Sequence, residues 1–69
     1  MWNEKELKDI KEIVNHLDCA IKIALGISLK FDESTGEVIV FSESGKEVRR
    51  INVSDDSALG VIKDVINSF

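Results

Sequence analysis

His16 and Cys19 stand three residues apart, a spacing that would put an imidazole and a thiol on one side of a helix. A metal ion would need two more ligands. The nearest acids, Glu12 and Asp18, fall at scattered positions around the helix, so only a dimer could double the pair into a four-ligand set. Nucleophilic catalysis by Cys19 or a serine needs a base oriented by a third group. His16 is the only histidine, and both residues lie in one helical stretch with no loop to shape a pocket. The acid pairs Asp9 with Glu12 and Asp55 with Asp56 would need a cleft to drive their proton affinities apart. The second pair reads better as negative charge at a helix start. Gly26, Gly36, Gly45 and Gly60 are isolated, so no glycine-rich loop cradles a phosphate. The plain reading is a partly exposed histidine beside a small cysteine that behaves as a hydrophobe. No catalytic residue, metal or cofactor is expected.

Composition narrows the classes further. Sixty-nine residues make one domain, 1–69. With 43% hydrophobic and 32% charged residues the chain is globular in type. A single cysteine excludes an internal disulfide, and too few Cys and His remain for a zinc finger. A domain this small draws only about 3–5 kcal/mol from its core, so self-association is the natural extra source of stability. Net charge is −4 and the pI about 4.8. The one basic cluster, Lys46, Arg49 and Arg50, has Glu47 inside it, which argues against nucleic-acid binding through phosphate neutralisation. The start, Met1-Trp2-Asn3-Glu4-Lys5-Glu6, has neither the basic nor the apolar part of a signal peptide. The most apolar stretch, residues 20–29, is broken by Lys22 and Gly26 and is too short to span a bilayer. A cytoplasmic protein is expected.

The elements follow from periodicity. Asn3 is a candidate N-cap with Glu6 three residues on. Leu7, Ile10, Val14, Leu17, Ile21 and Ala24 then recur every three or four residues, widened by Ile13, Ala20 and Leu25, which predicts an amphipathic helix. Glu4 with Lys8 and Asp18 with Lys22 add exposed ion pairs, and Gly26 supplies the left-handed stop. The period then changes to two: Ile27, Leu29 and Phe31 alternate with polar residues. Val38-Ile39-Val40-Phe41 is apolar on both faces and suits a central strand, and a third strand follows from about residue 46 to 53. Thr35-Gly36 and Ser44-Gly45 each fit a three-residue hairpin loop closed by a left-handed glycine. Ser54 is a candidate cap for a last helix, with Asp55 and Asp56 in its first turn. Ala58, Leu59, Ile62, Val65, Ile66 and Phe69 form its stripe, which suggests that Phe69 is docked. The fold class is α+β: helix, three-stranded antiparallel meander, helix, with both helices on one sheet face.

Three-residue loops fix a register. Phe31 then faces Ile39, Leu29 faces Phe41 and Val40 faces Val48. The helix-covered face carries Ile27, Leu29, Phe31, Ile39, Phe41, Ile51 and Val53. The opposite face presents Val38, Val40 and Val48, flanked by Ser28, Lys30 and Arg50. That strip is either an interaction surface or a face shielded by Lys and Arg stems. Trp2, just before the cap, either staples onto Leu7 or Lys8 or reaches a partner.

The run Leu29-Lys30-Phe31-Asp32-Glu33-Ser34-Thr35-Gly36-Glu37-Val38-Ile39-Val40, continued by Gly45-Lys46-Glu47-Val48-Arg49-Arg50-Ile51, resembles the FlaG family of flagellar proteins. The likeness lies in an L-x-F strand, an acidic T-G turn, a Val-rich strand and a glycine turn before an Arg-containing strand. It covers about residues 17–69 and departs from the family at Asn52-Val53, where prolines usually stand. The resemblance implies a non-enzymatic accessory of the flagellum, concerned with filament assembly or length and acting by protein contact. On that reading Val38, Val40, Val48, Lys30 and Arg50 bind flagellar proteins or a second copy of the chain. The rival is a small acidic inhibitor, for example phage-encoded, that presents Asp32, Glu33, Glu37, Glu43, Asp55 and Asp56 to the basic groove of a nucleic-acid enzyme.

Overall fold

The computed structural model describes residues 2–69. Helix α1 (Glu4–Leu25) leads into strands β1 (Ser28–Asp32), β2 (Glu37–Phe41) and β3 (Glu47–Asn52), and helix α2 (Ala58–Asn67) follows. The strands form one antiparallel sheet in the order β1-β2-β3. Both helices pack on the same side of it. Ile10 and Val14 of α1 and Val61 and Val65 of α2 share one core with Leu29, Val38, Val40 and Val53. No helix among the described residues is long and apolar enough to cross a membrane.

The boundaries of α1 have local causes. Asn3 Oδ1 accepts the Glu6 N–H at 2.8 Å, and Glu6 Oε1 accepts the Asn3 N–H at 3.4 Å. This capping box satisfies two otherwise orphaned donors. Gly26 ends the helix at φ 75°, its N–H donating to the Lys22 carbonyl at 2.9 Å. Asp18 does not spend its carboxylate on Lys22. Its Oδ1 accepts the Leu29 N–H at 2.8 Å, which blunts the free edge of β1 and ties it to the helix.

The register departs from the three-residue expectation at both hairpins. Asp32 pairs with Glu37, so residues 33–36 form a four-residue loop, closed by the Gly36 N–H on the Asp32 carbonyl at 2.9 Å. Phe31 therefore faces Val38, and Leu29 faces Val40. The second loop does have three residues: Ser42 and Lys46 flank residues 43–45, with Gly45 at φ 82°. One step later the pairing slips. Phe41 opposes Glu47 while Val40 opposes Arg49, which leaves Val48 as the extra residue of a bulge. Each event shifts the register by one, so β2 is inverted relative to both neighbours. Leu29, Phe31, Ile51 and Val53 keep the helix-side placement expected of them, but Val38 and Val40 join them there. Ile39 and Phe41 turn to the open face.

The start of α2 also differs. Asn52 Oδ1 captures both the Ser54 N–H at 3.0 Å and the Ser54 hydroxyl at 2.7 Å, folding a local turn in which Ser54 cannot act as a cap. Ser57 caps instead, accepting the Gly60 N–H at 3.2 Å, and Asp55 and Asp56 lie in the loop before it. Trp2 is held within the domain, packed against the core. Its Nε1–H donates to the Asp56 carbonyl at 2.6 Å, and its ring packs at 5.6 Å and 50° on Phe31.

Candidate interaction surface

The five residues expected to form one interaction strip occupy three places. Val38 and Val40 are 0% and 4% exposed beneath the helices, so they cannot meet a partner. The inverted register of β2 is the reason. Val48 stands at the bulge, 63% exposed. Lys30 and Arg50 do lie on the open face, as the cross-strand partners of Ile39. Ile39 belongs to that face yet is only 7% exposed. The aliphatic stems of the two long cationic neighbours are placed to cover it.

The open face thus carries charged side chains over Ile39, with the half-buried Phe41 beside it. Arg50 donates to Glu47 through Nη2 at 3.0 Å and Nε at 3.1 Å, and to Glu37 through Nη1 at 3.2 Å, with Asp32 Oδ2 at 3.8 Å. Glu47 and Glu37 hold the guanidinium proton more firmly than usual. The Ser34 hydroxyl and N–H on Asp32 keep that carboxyl below its ordinary range. Exposed pairs of this kind are screened by solvent, so they orient side chains more than they hold the fold.

The apolar surface lies elsewhere, and element lengths explain where. A helix of 22 residues rises about 33 Å. The five-residue strand beneath it spans only about 17 Å. The last turns of α1 therefore overrun the sheet. Ala20, Ala24 and Leu25, counted with the helix stripe by period, stand exposed, and Ile23 is 88% exposed. At that same end Glu43 of the second hairpin loop lies against Gly26. Arg49 Nη1 donates to the Ser68 carbonyl at 2.6 Å, which brings the close of α2 onto the start of β3. A cationic side chain there also suits the negative end of the helix dipole.

One pole of the molecule consequently gathers Ile23, Leu25, Val48, Ile66 and Phe69. These are five of the six large apolar side chains that are more than half exposed among the described residues, Leu59 being the sixth. Phe69, expected to dock, has its backbone held near α2 while half its ring remains in solvent. A groove of about 230 Å³ lies at this end, lined by Ile27, Val40, Ser42, Val48, Arg49, Ser68 and Phe69, so Val48 and Phe69 of the five border it.

His16 and Cys19 are both exposed on α1. Among the described residues no three His, Cys, Asp or Glu side chains gather as a metal site would require. No protein-family model matches the chain, and no curated protein or solved structure matches it either.

Proposed function

We propose that the chain is a protein-interaction module that works by contact rather than catalysis, through the apolar pole formed by Ile23, Leu25, Val48, Ile66 and Phe69. The observation that carries this reading is that five of the six large apolar side chains more than half exposed among the described residues belong to the ends of the two helices and the start of β3, with Val48 and Phe69 bordering a groove there. The resemblance to FlaG supplies the biological context: association with the flagellum, with a flagellar protein or a second copy of this chain as partner. Of the expected valine strip, Val38 and Val40 are buried under the helices, and Val48 alone belongs to this pole.

The acidic-inhibitor reading loses support from the pairing of its carboxylates. Asp32 and Glu37 engage Arg50, Glu33 pairs with Lys11 at 2.7 Å, and Asp56 meets Asp64, which leaves Glu43 and Asp55. Ile23→Asp and Val48→Asp test the apolar pole. Both positions are solvent-facing, so unfolding free energy should stay within about 0.5 kcal/mol of wild type. Molar mass from light scattering, or affinity for purified flagellin by calorimetry, should fall, and binding by the parent should persist in high salt. A parent chain that stays monomeric and ignores flagellin, or variants that associate as the parent does, would overturn the reading.

A further inference from the structure

Carboxylate Oδ2 of Asp56 is buried and has no donor within reach. Its neighbour is the carboxyl of Asp64, one turn of helix beyond Gly60, and two ionised carboxylates cannot satisfy each other. Gly60 makes the approach possible: a Cβ there would sit 3.1 Å from Asp56 Cβ, and the bare glycine lets the Asp56 side chain lie over the first turn of α2. Asp64 projects from the same helix face four residues on. The backbone carbonyl of Asp56 also receives the Trp2 indole N–H at 2.6 Å, so the residue that carries the awkward carboxyl is the one that holds the tryptophan.

We propose that Asp56 and Asp64 share one proton and act as a latch, which fastens Trp2 and the loop at residues 54–57 to α2 in mildly acidic solution and releases them when the proton leaves. With the proton shared, the pair carries one negative charge and Oδ2 has its hydrogen bond. When it departs to solvent, two negative charges face each other, and the buried Oδ2 of Asp56 is left without a donor. The remaining groups at this end deepen the effect. Glu6 of α1 and Asp55 of the loop line the same cleft with Trp2, Ser54 and Ser57, and no lysine or arginine lines it. The hydrogen bond from Asp64, then burial, then the charges of Asp64 and Asp55, push the Asp56 carboxyl up to about 6. A carboxyl raised in this way favours the folded, latched form fully below about pH 4. That contribution is lost as pH rises through about 6.

Trp2 is the only tryptophan, so its fluorescence reports the latch alone. The His16→Gln background removes the only histidine of the sequence, so no imidazole contributes to the signal. In that background the emission maximum should move to the red between pH 5 and 7 with a midpoint of about 6, while far-UV circular dichroism holds constant. Asp64→Asn gives Oδ2 of Asp56 a permanent amide donor and should remove the transition from that window. Asp55→Asn, which touches only the surrounding charge, should lower the midpoint without abolishing it. Carboxyl carbon shifts of Asp56 and Asp64 by nuclear magnetic resonance give the same answer in the unsubstituted pair, should the variant not fold. A flat emission profile, an unchanged midpoint in Asp64→Asn, or both carboxyls titrating near 4 would overturn the proposal.

Discussion

Gly36 and Gly45 both adopt left-handed backbone, at φ 71° and φ 82°, yet their replacement by alanine should have very different costs. The conformational penalty is shared: a non-glycine residue in this region costs about 1 kcal/mol. The surroundings are not shared. A Cβ on Gly45 meets nothing within 4 Å, whereas one on Gly36 would stand 2.7 Å from Ser54 Cβ and 3.1 Å from Ser54 Cα. Nor can that neighbour retreat freely. The Val53 N–H donates to the Gly36 carbonyl at 2.9 Å, and Val53 itself is fully buried in the core. Forcing a methyl into such a contact adds about 1–3 kcal/mol. Gly45→Ala should therefore lose about 1 kcal/mol, a fall in Tm of about 4–8 °C at this size. Gly36→Ala should lose about 2–4 kcal/mol, most of the 3–5 kcal/mol or so that such a domain possesses. Adding Ser54→Gly to Gly36→Ala removes the colliding Cβ and should recover part of the difference. Thermal and urea melts followed by circular dichroism measure all three. Equal losses for the two glycines, or no recovery in the double variant, would refute the contact between the first hairpin loop and the segment after β3, and with it the four-residue loop.

Two further measurements address the register and the second cap. Val38→Asp places an unpaired carboxylate under both helices and should leave the domain unfolded by circular dichroism, whereas Ile39→Thr on the open face should retain a cooperative melt; the reverse ranking would restore three-residue pairing. Ser57→Ala should lower unfolding free energy by about 1 kcal/mol through loss of the Gly60 N–H acceptor, and Ser54→Ala by less, as read from urea midpoints.

Periodicity located the helices and the first strand, which state their period plainly, and the glycine turns on either side marked out β2 and β3. The change from 3.6 to 2 at Gly26, the Asn3 and Glu6 pair, and the glycines of both turns are local signals, and local geometry obeys them. The cap of α2 was harder to read. Ser54 and Ser57 are equivalent as caps until Asn52 is seen to claim the Ser54 N–H and hydroxyl, a competition that depends on how the chain leaves β3. The pole was missed for another reason. Ala24, Leu25, Ile66 and Phe69 do keep to their helical stripes, but a stripe shows which side of a helix is apolar and not how far along it a sheet extends. Rise per residue holds that information: 22 residues at about 1.5 Å cannot be covered by five at about 3.3 Å.

The inversion of β2 shows why a central strand is the weakest point of such a reading. Val38-Ile39-Val40-Phe41 is apolar at every position, so either parity buries hydrophobic side chains and alternation cannot choose between them. The flanking strands do choose: Leu29 and Phe31, and Ile51 with Val53, alternate with polar residues and declare their inner face. Two independent slips then leave those edge assignments intact. The longer first loop shifts β2 by one residue against β1, and the bulge at Val48 shifts β3 by one against β2, so the outer strands stay in phase with each other. The chemistry of the surface follows from this parity. With the valines inward, the open face is left to Lys30, Arg50 and the acids that surround it, and the bulge that restores the phase is also what thrusts Val48 into solvent. The charged face and the exposure of Val48 are consequences of one extra residue in a turn and one extra residue in a strand.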